Sequence, residues 1–396
     1  MIGCLRYGTG FETLRERDVH VRSHNRPSKC PERGCFYEEV GFANERTLNQ
    51  HISLCHTDPS FNRFEFPKFR KPPPPAADER KRFREAIRRE DLGLLRDMIH
   101  TNASLRDQLS SGSWTGLGYA AYHGKLQSVR CLLECGCNIG AVSDRGTALH
   151  GACHSKRTDI VQFLLSNSTS EDVNRKDKEG RTPLSYAARW SALEMVRLIL
   201  EHGVGVDVNA KDSKGRTPLS MAVSRTTGMT SESVRMIKAL LEQDRVDVDA
   251  KDAEGRTPLS WAASESFLRV VRFFLECGEE VDVNSKDNKG RTPLSWAASR
   301  WTGELESPPV VKVLLEQDRV DVDAKDDDGR TPLSWAASKG HAGTVRLFLR
   351  RGLGVAVNSK DKGDRTPLSW ALARGDSEKE QVVKILVQHG GIAGVL

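Results

Sequence analysis

Apolar positions recur in a fixed order along most of the chain. In a representative unit Leu294, Ala297 and Ala298 stand at i, i+3 and i+4, a narrow apolar face whose small residues let a neighbouring helix come close. A wider stripe follows, seen in LRVVRFFLECG as Val270, Val271, Phe274 and Leu275, and Gly278 is placed to end that second helix in a left-handed cap. The next stretch, VDVNSKDNKG, alternates Val281 and Val283 with polar residues and closes on a glycine, which predicts a short extended arm and a turn. Each unit is therefore expected to run helix, helix, arm.

The start of the first helix is written into GRTPLSWAAS, identical from Gly255, Gly290 and Gly329, with close variants from Gly180, Gly215 and Asp364 and weaker copies from Ser113 and Arg145. The threonine hydroxyl can accept from an unpaired amide at the helix start, and proline follows where its missing N–H costs nothing. These threonines fall at 115, 147, 182, 217, 257, 292, 331 and 366. Thr217 to Thr292 spans 75 residues and Thr292 to Thr366 spans 74, so the duplicated module is a pair of units. The additional residues, in RTTGMTSES and RWTGELESPP, are expected between the two helices of every second unit. Ahead of the array, Ala86, Ile87, Leu94, Leu95 and Ile99 have helical spacing around REDLG and suit an N-terminal cap.

The pattern KDNKGRTPLSWAAS…VVKVLLEQ…VDVDAKD resembles the ankyrin repeat from about Ala86 onward. The resemblance implies a mostly α, helical-repeat solenoid over 79–396, which binds partners along its concave face and projecting turns. Six units depart from the family's Thr-Pro-Leu-His by carrying serine, and only His150 keeps the imidazole. Serine cannot bridge two partners as imidazole does, so these turns are expected to be held less firmly.

Charge and cysteine change the picture only near the N-terminus. Residues 1–90 hold 18 Lys and Arg against 13 Asp and Glu, against 42 and 41 in the rest, so the basic surplus is N-terminal. Residues 57–78 are proline-rich and aromatic and read as a semi-rigid linker. Before it lie residues 1–56, which carry candidate metal ligands. Cys30 and Cys35, then fifteen residues, then His51 and His56 supply two thiolates and two imidazoles, a closed ligand set for a structural zinc. The stretch 30–56 resembles the two-cysteine, two-histidine zinc finger, which implies a small ββα domain; Cys55 is an alternative to His56 as the fourth ligand. Upstream, 4–24 looks like a degenerate finger with Cys4, His20 and His24 in place and Tyr7 at the second cysteine. If the intact finger reads DNA, Asn44, Thr47 and Gln50 would face the groove. Fingers joined to this style of repeat are similar to fungal proteins.

Other constellations reduce to packing. Cys131, Cys135, Cys137, Cys153 and His154 are read as residues of the repeat core rather than a metal cluster. DVDAKDDDG is rejected as a calcium loop because Lys325 stands where a ligand is needed. No phosphate loop, nucleophile elbow or triad spacing occurs, which argues against an enzyme. The regular units carry Lys, Asp and Arg around the turn, as in Lys251, Asp252 and Arg256. The expectation is that Asp and Arg pair across neighbouring turns, leaving a column of lysines for a partner.

These readings predict a monomeric, non-enzymatic scaffold that binds an unidentified protein partner through its repeats and holds zinc in its finger. A regulator using the finger for nucleic acid and the repeats for recruitment is the alternative. No 18-residue apolar run occurs, so no membrane contact is expected, and the low cysteine density suits the cytoplasm or nucleus.

Overall fold

The computed structural model describes residues 77–105, 114–203, 205–224, 231–243, 245–276, 281–300, 308–350, 354–373 and 377–395. These lie in a compact unit, Pro74–Leu396. The described residues form helices, one 3-10 turn (Ala103–Leu105) and no strand beyond an isolated bridge between Ser143 and Gly146. None of the helices is long and apolar enough to cross a membrane.

The chain opens with α1 (Ala77–Arg89) and α2 (Leu92–Thr101). Glu90 takes a positive φ of 55° between them, and Asp91 restarts the helix by accepting the Leu94 N–H at 3.0 Å. Ala86, Ile87, Leu95 and Ile99 are buried and Leu94 is half-buried. Eight units follow, each with an inner helix that starts after the repeat threonine and an outer helix behind it. The inner helices are α3 (Gly116–Tyr122), α5 (Ala148–His154), α8 (Pro183–Arg189), α10 (Pro218–Ser224), α12 (Pro258–Ser264), α14 (Pro293–Arg300), α16 (Pro332–Lys339) and α18 (Pro367–Leu372). The outer helices are α4 (Leu126–Glu134), α6 (Thr158–Asn167), α9 (Leu193–His202), α11 (Ser231–Leu241), α13 (Leu268–Glu276), α15 (Pro309–Leu315), α17 (Ala342–Arg350) and α19 (Ser377–Gln388). A single turn, α7 (Ser170–Val173), lies in the arm of the second unit.

Inner helices pack on inner and outer on outer, giving two layers joined within each unit. The core is largely the seam predicted from periodicity: Leu294, Ala297 and Ala298, and Val270, Val271 and Phe274, are buried, while Leu275 is only half-buried. Cys131 and Cys153 sit in that seam, and burial pushes the Cys131 thiol up to about 11 and Cys153 higher still. The helix starts follow the sequence. Thr182, Thr257, Thr331 and Thr366 each accept the N–H of the serine three residues on, with proline at the first helical position. The longer units lengthen between α10 and α11 and between α14 and α15, where the additional residues were expected. Gly278 lies outside the described residues.

The outer ends of the arms are tied by an asparagine ladder. Asn209 Nδ2 donates to the Arg245 carbonyl at 2.6 Å while its Oδ1 accepts the Asp247 N–H at 2.9 Å, and Asn174, Asn284 and Asn358 repeat this. Asp249 and Asp323, 74 residues apart, replace asparagine at the same step and only accept, from Asp282 and Ala356. Burial pushes both carboxyls above their usual value. Asp323→Asn restores the donor, and because the position is half-buried the gain expected is about 0.5–1.5 kcal/mol, read as a higher urea midpoint with an unchanged slope.

Candidate interaction face

The turn before each inner helix is organised by its aspartate. Asp177, Asp212, Asp252, Asp287, Asp326 and Asp361 are buried, and each Oδ1 accepts two backbone N–H groups of its own turn at 2.8–3.0 Å. Burial resists ionisation of Asp361, but the N–H groups of Arg365 and Gly363 and the Trp370 indole outweigh it and hold the carboxyl below its usual value. Successive turns are stitched by backbone bonds, among them Asn288 N–H to the Glu254 carbonyl and Asp327 N–H to the Lys289 carbonyl, both 3.0 Å.

The structure corrects the expected pairing of Asp and Arg across neighbouring turns. Arg181 meets Asp177 at 2.7 Å and Arg216 meets Asp212 at 2.8 Å, each within one turn. In the tryptophan units the second carboxylate oxygen accepts an indole N–H: Trp261 to Asp252 at 2.9 Å, Trp296 to Asp287 at 3.1 Å, Trp335 to Asp326 at 2.8 Å and Trp370 to Asp361 at 2.9 Å, with Arg291 and Arg365 held more loosely to their own aspartates at 3.4 and 3.6 Å. The arginines then lie over the indole faces. Arg256 is 4.4 Å from the Trp261 centroid and 3.6 Å from that of Trp296; Arg330 is 3.8 Å from both Trp335 and Trp370. Arg291 lies 3.5 Å from Trp296 and 5.6 Å from Trp335, so indole and guanidinium alternate through four units.

The lysine column is also internal. Lys176 Nζ donates to the Lys211 carbonyl at 2.8 Å, Lys211 to Lys251 at 3.0 Å, Lys251 to Lys286 at 2.8 Å, Lys286 to Lys325 at 2.8 Å and Lys325 to Lys360 at 2.9 Å. Each ammonium straps its turn to the next, so the lysines are not a spare row for a partner. Sequence inspection missed both devices. The only signal was the constant offset of Arg, Thr and Trp within GRTPLSW.

His150 does what the serines cannot. Its Nδ1 accepts the Thr147 N–H at 3.1 Å and its Nε2 reaches the Arg181 carbonyl of the next unit at 2.8 Å. The serine hydroxyls instead lie 3.1–3.3 Å from their own threonine hydroxyls. Full burial pushes His150 down to about 4. An unfolded His titrates near 6.5, so this group's contribution is complete above about pH 6.5 and is lost as pH falls toward 4, on the order of 3 kcal/mol. Urea melts of the wild type and His150→Ser should therefore differ in slope between about pH 6.5 and 4.5. His123, lowered by burial and by Arg88, Lys125 and Arg157, contributes with the same sign in both proteins and leaves the difference to His150.

The open ends of the inner helices, seven and eight residues after the repeat threonine, carry two chemistries. In the last units they are serines folded back on their own helix: Ser264 to the Trp261 carbonyl, Ser299 to Trp296 and Ser338 to Trp335, all 3.0 Å. Arg300 reaches Glu265 of the preceding unit at 3.3 Å. In the first three units the row is aromatic. Tyr122 stacks on Trp114 at 5.9 Å and lies 5.2 Å from His154, which is 5.0 Å from Trp190. Tyr122, His123 and His154 are half-buried and Trp190 is 37% exposed.

The zinc set Cys30, Cys35, His51 and His56, the upstream Cys4, His20 and His24, and the groove-facing Asn44, Thr47 and Gln50 all lie outside the described residues. Among the described residues no group of three or more His, Cys, Asp or Glu is placed to hold a metal.

The family description "Ankyrin repeats (3 copies)" matches residues 83–177, 168–252, 229–326 and 304–393. The chain is similar to the ankyrin repeat, SAM and basic leucine zipper domain-containing protein 1 of Microcebus murinus, 31% identical over 124 residues, 30% of this chain and 25% of that protein. The protein of the same name from Oryctolagus cuniculus is 31% identical over 128 residues, 31% of this chain and 26% of that protein. The chain thus matches these curated relatives over about a quarter of their length. The solved ankyrin repeat domain of Bcl-3, a unique member of the IkappaB protein family, aligns over 60% of this chain and 99% of that chain, with TM-score 0.49 and 25% identity.

Proposed function

Because the chain belongs to the ankyrin-repeat family, its matches running through 83–393, we propose that it is a non-enzymatic scaffold that grips a protein partner with its inner helices and turns. The observation carrying this reading is the row at the inner-helix ends. It runs from unit to unit, lies opposite the buried Leu/Ala seam, and in the first units presents half-buried aromatic side chains. Large rigid side chains of this kind carry most of the energy in protein interfaces. Immobilised full chain, incubated with lysate of its source cells and cross-linked, should give a stoichiometric partner whose cross-links map to inner helices and turns. Cross-links confined to the outer helices, or no stoichiometric partner, overturn the reading.

The cysteine and histidine spacing extends the proposal to one structural zinc held by Cys30, Cys35, His51 and His56. Four protein ligands leave no coordination position for water, so the metal would support folding of its own segment only. Native mass spectrometry of the full chain should find one zinc, absent from Cys35→Ser. Two tightly held zincs would contradict the assignment, since Tyr7 leaves the upstream finger one ligand short.

A further inference from the structure

Regular repetition suggests that any stretch of the inner face could bind alike. The side chains argue otherwise. In the last four units Trp261, Trp296, Trp335 and Trp370 are fixed by their own aspartates and covered by arginines, and Ser264, Ser299 and Ser338 spend their hydroxyls on their own helices. The first three units hold a contiguous strip of Tyr119, Tyr122, His123, His154 and Trp190, with ring centroids 4.3–5.2 Å apart along the row.

Cations gather at one edge of this strip. Arg84 and Arg88 of α1 lie 5.9 and 5.7 Å from the Tyr119 ring centroid. Burial, and then Arg88, Lys125 and Arg157 together, push the His123 pKa down, which places three cations around this imidazole. The Arg157 guanidinium reaches the backbone at Gly124, where a side chain would meet its Nε at 2.6 Å. Of the acids near this edge, Glu85 is held by Arg89 at 2.7 Å and more loosely by Arg88 at 3.8 Å, while Glu90 and Asp159 each follow a rim arginine by two residues in sequence.

We infer that the aromatic and imidazole strip of the first three units, rimmed by Arg88, Lys125 and Arg157, is the docking surface for an acidic polypeptide segment that carries aromatic side chains. The inference rests on the scaffold reading and deepens it by naming the partner's chemistry. Carboxylates of the segment meet the rim cations through charge-assisted hydrogen bonds, and its rings stack on Tyr122, His154 and Trp190. The chain's own residues 57–76 are a poor match, because Arg63, Lys68, Arg70 and Lys71 outnumber Asp58 and Glu65. The positive rim also speeds encounter, so binding weakens with salt.

The probe is a fluorescent random copolymer of glutamate and tyrosine, titrated by anisotropy into the full chain, with polyglutamate and a lysine–tyrosine copolymer alongside. The expected result is binding of the glutamate–tyrosine copolymer roughly tenfold tighter than polyglutamate and none of the lysine copolymer. Arg88→Glu with Arg157→Glu should weaken binding by roughly tenfold or more, and Trp190→Ala by roughly fivefold. Arg88→Gln with Arg157→Gln should fall between, and Arg300→Glu with Lys339→Glu, at the far end of the row, should bind within about twofold of wild type. Thermal melts of each variant separate lost binding from lost folding. Equal binding of polyglutamate and copolymer, insensitivity to Trp190→Ala in a folded protein, or an equal loss in the far-end variant overturns the inference. If the copolymer fails to bind while a cellular partner still cross-links to the inner face, this inference falls and the scaffold reading stands. If no partner cross-links, the scaffold reading falls whatever the copolymer does.

Discussion

Replacing Arg256, Arg291 and Arg330 together by glutamine lowers the stability of the repeat array by on the order of 3–6 kcal/mol, visible as a drop in the urea midpoint. Each guanidinium contacts the indoles of two successive units, and such contacts are worth roughly 0.5–2 kcal/mol when largely desolvated. Side-chain exposure is 14% for Arg256 and 15% for Arg291, and Arg330 is 9% exposed, so solvent screens them little. The effects should be less than additive, because Trp296 touches both Arg256 and Arg291, and Trp335 touches both Arg291 and Arg330. An unchanged midpoint together with weakened partner binding would show that these arginines are recognition groups after all.

Gly290→Val is expected to cost on the order of 3 kcal/mol or more through backbone geometry alone. Gly290 has φ of 72°, where a β-branched residue is strained, and a Cβ there would stand 2.7 Å from the Asp327 backbone nitrogen of the next turn. Relieving that clash breaks the 3.0 Å bond from Asp327 N–H to the Lys289 carbonyl, one stitch of the backbone ladder. Gly390 is the control. Its φ of 80° is similar but nothing lies within 4 Å of its Cβ position, so Gly390→Ala should cost only about 1 kcal/mol. Urea melts of the two variants separate conformational strain from close approach: equal losses would mean that the next turn moves aside freely. In the last unit Asp364 occupies the same position at φ 57°, and its carbonyl accepts the Val395 N–H at 3.2 Å.

Much of this protein was legible in its sequence. Thr257 and Pro258 start a helix by interactions within four residues, Leu259, Ala262 and Ala263 select its buried face by periodicity, and Gly255 closes a turn because few residues tolerate its φ. The serine in place of histidine also reads correctly, since an Oγ that reaches its own threonine cannot span to the next unit as His150 Nε2 does. All of these are local choices, fixed before any neighbour arrives. What the charged letters do was decided only by the stacked structure. Arg256 and Trp296 are 40 residues apart and Lys251 and the carbonyl of Lys286 are 35 apart, yet the register of one unit on the next brings them to 3.6 and 2.8 Å. A column of arginine and lysine in sequence is equally consistent with a partner's binding ridge and with internal straps. Only the spacing between adjacent units, set by helices packing through small residues, put the cations over indoles and carbonyls and left the first three units to present the aromatic strip.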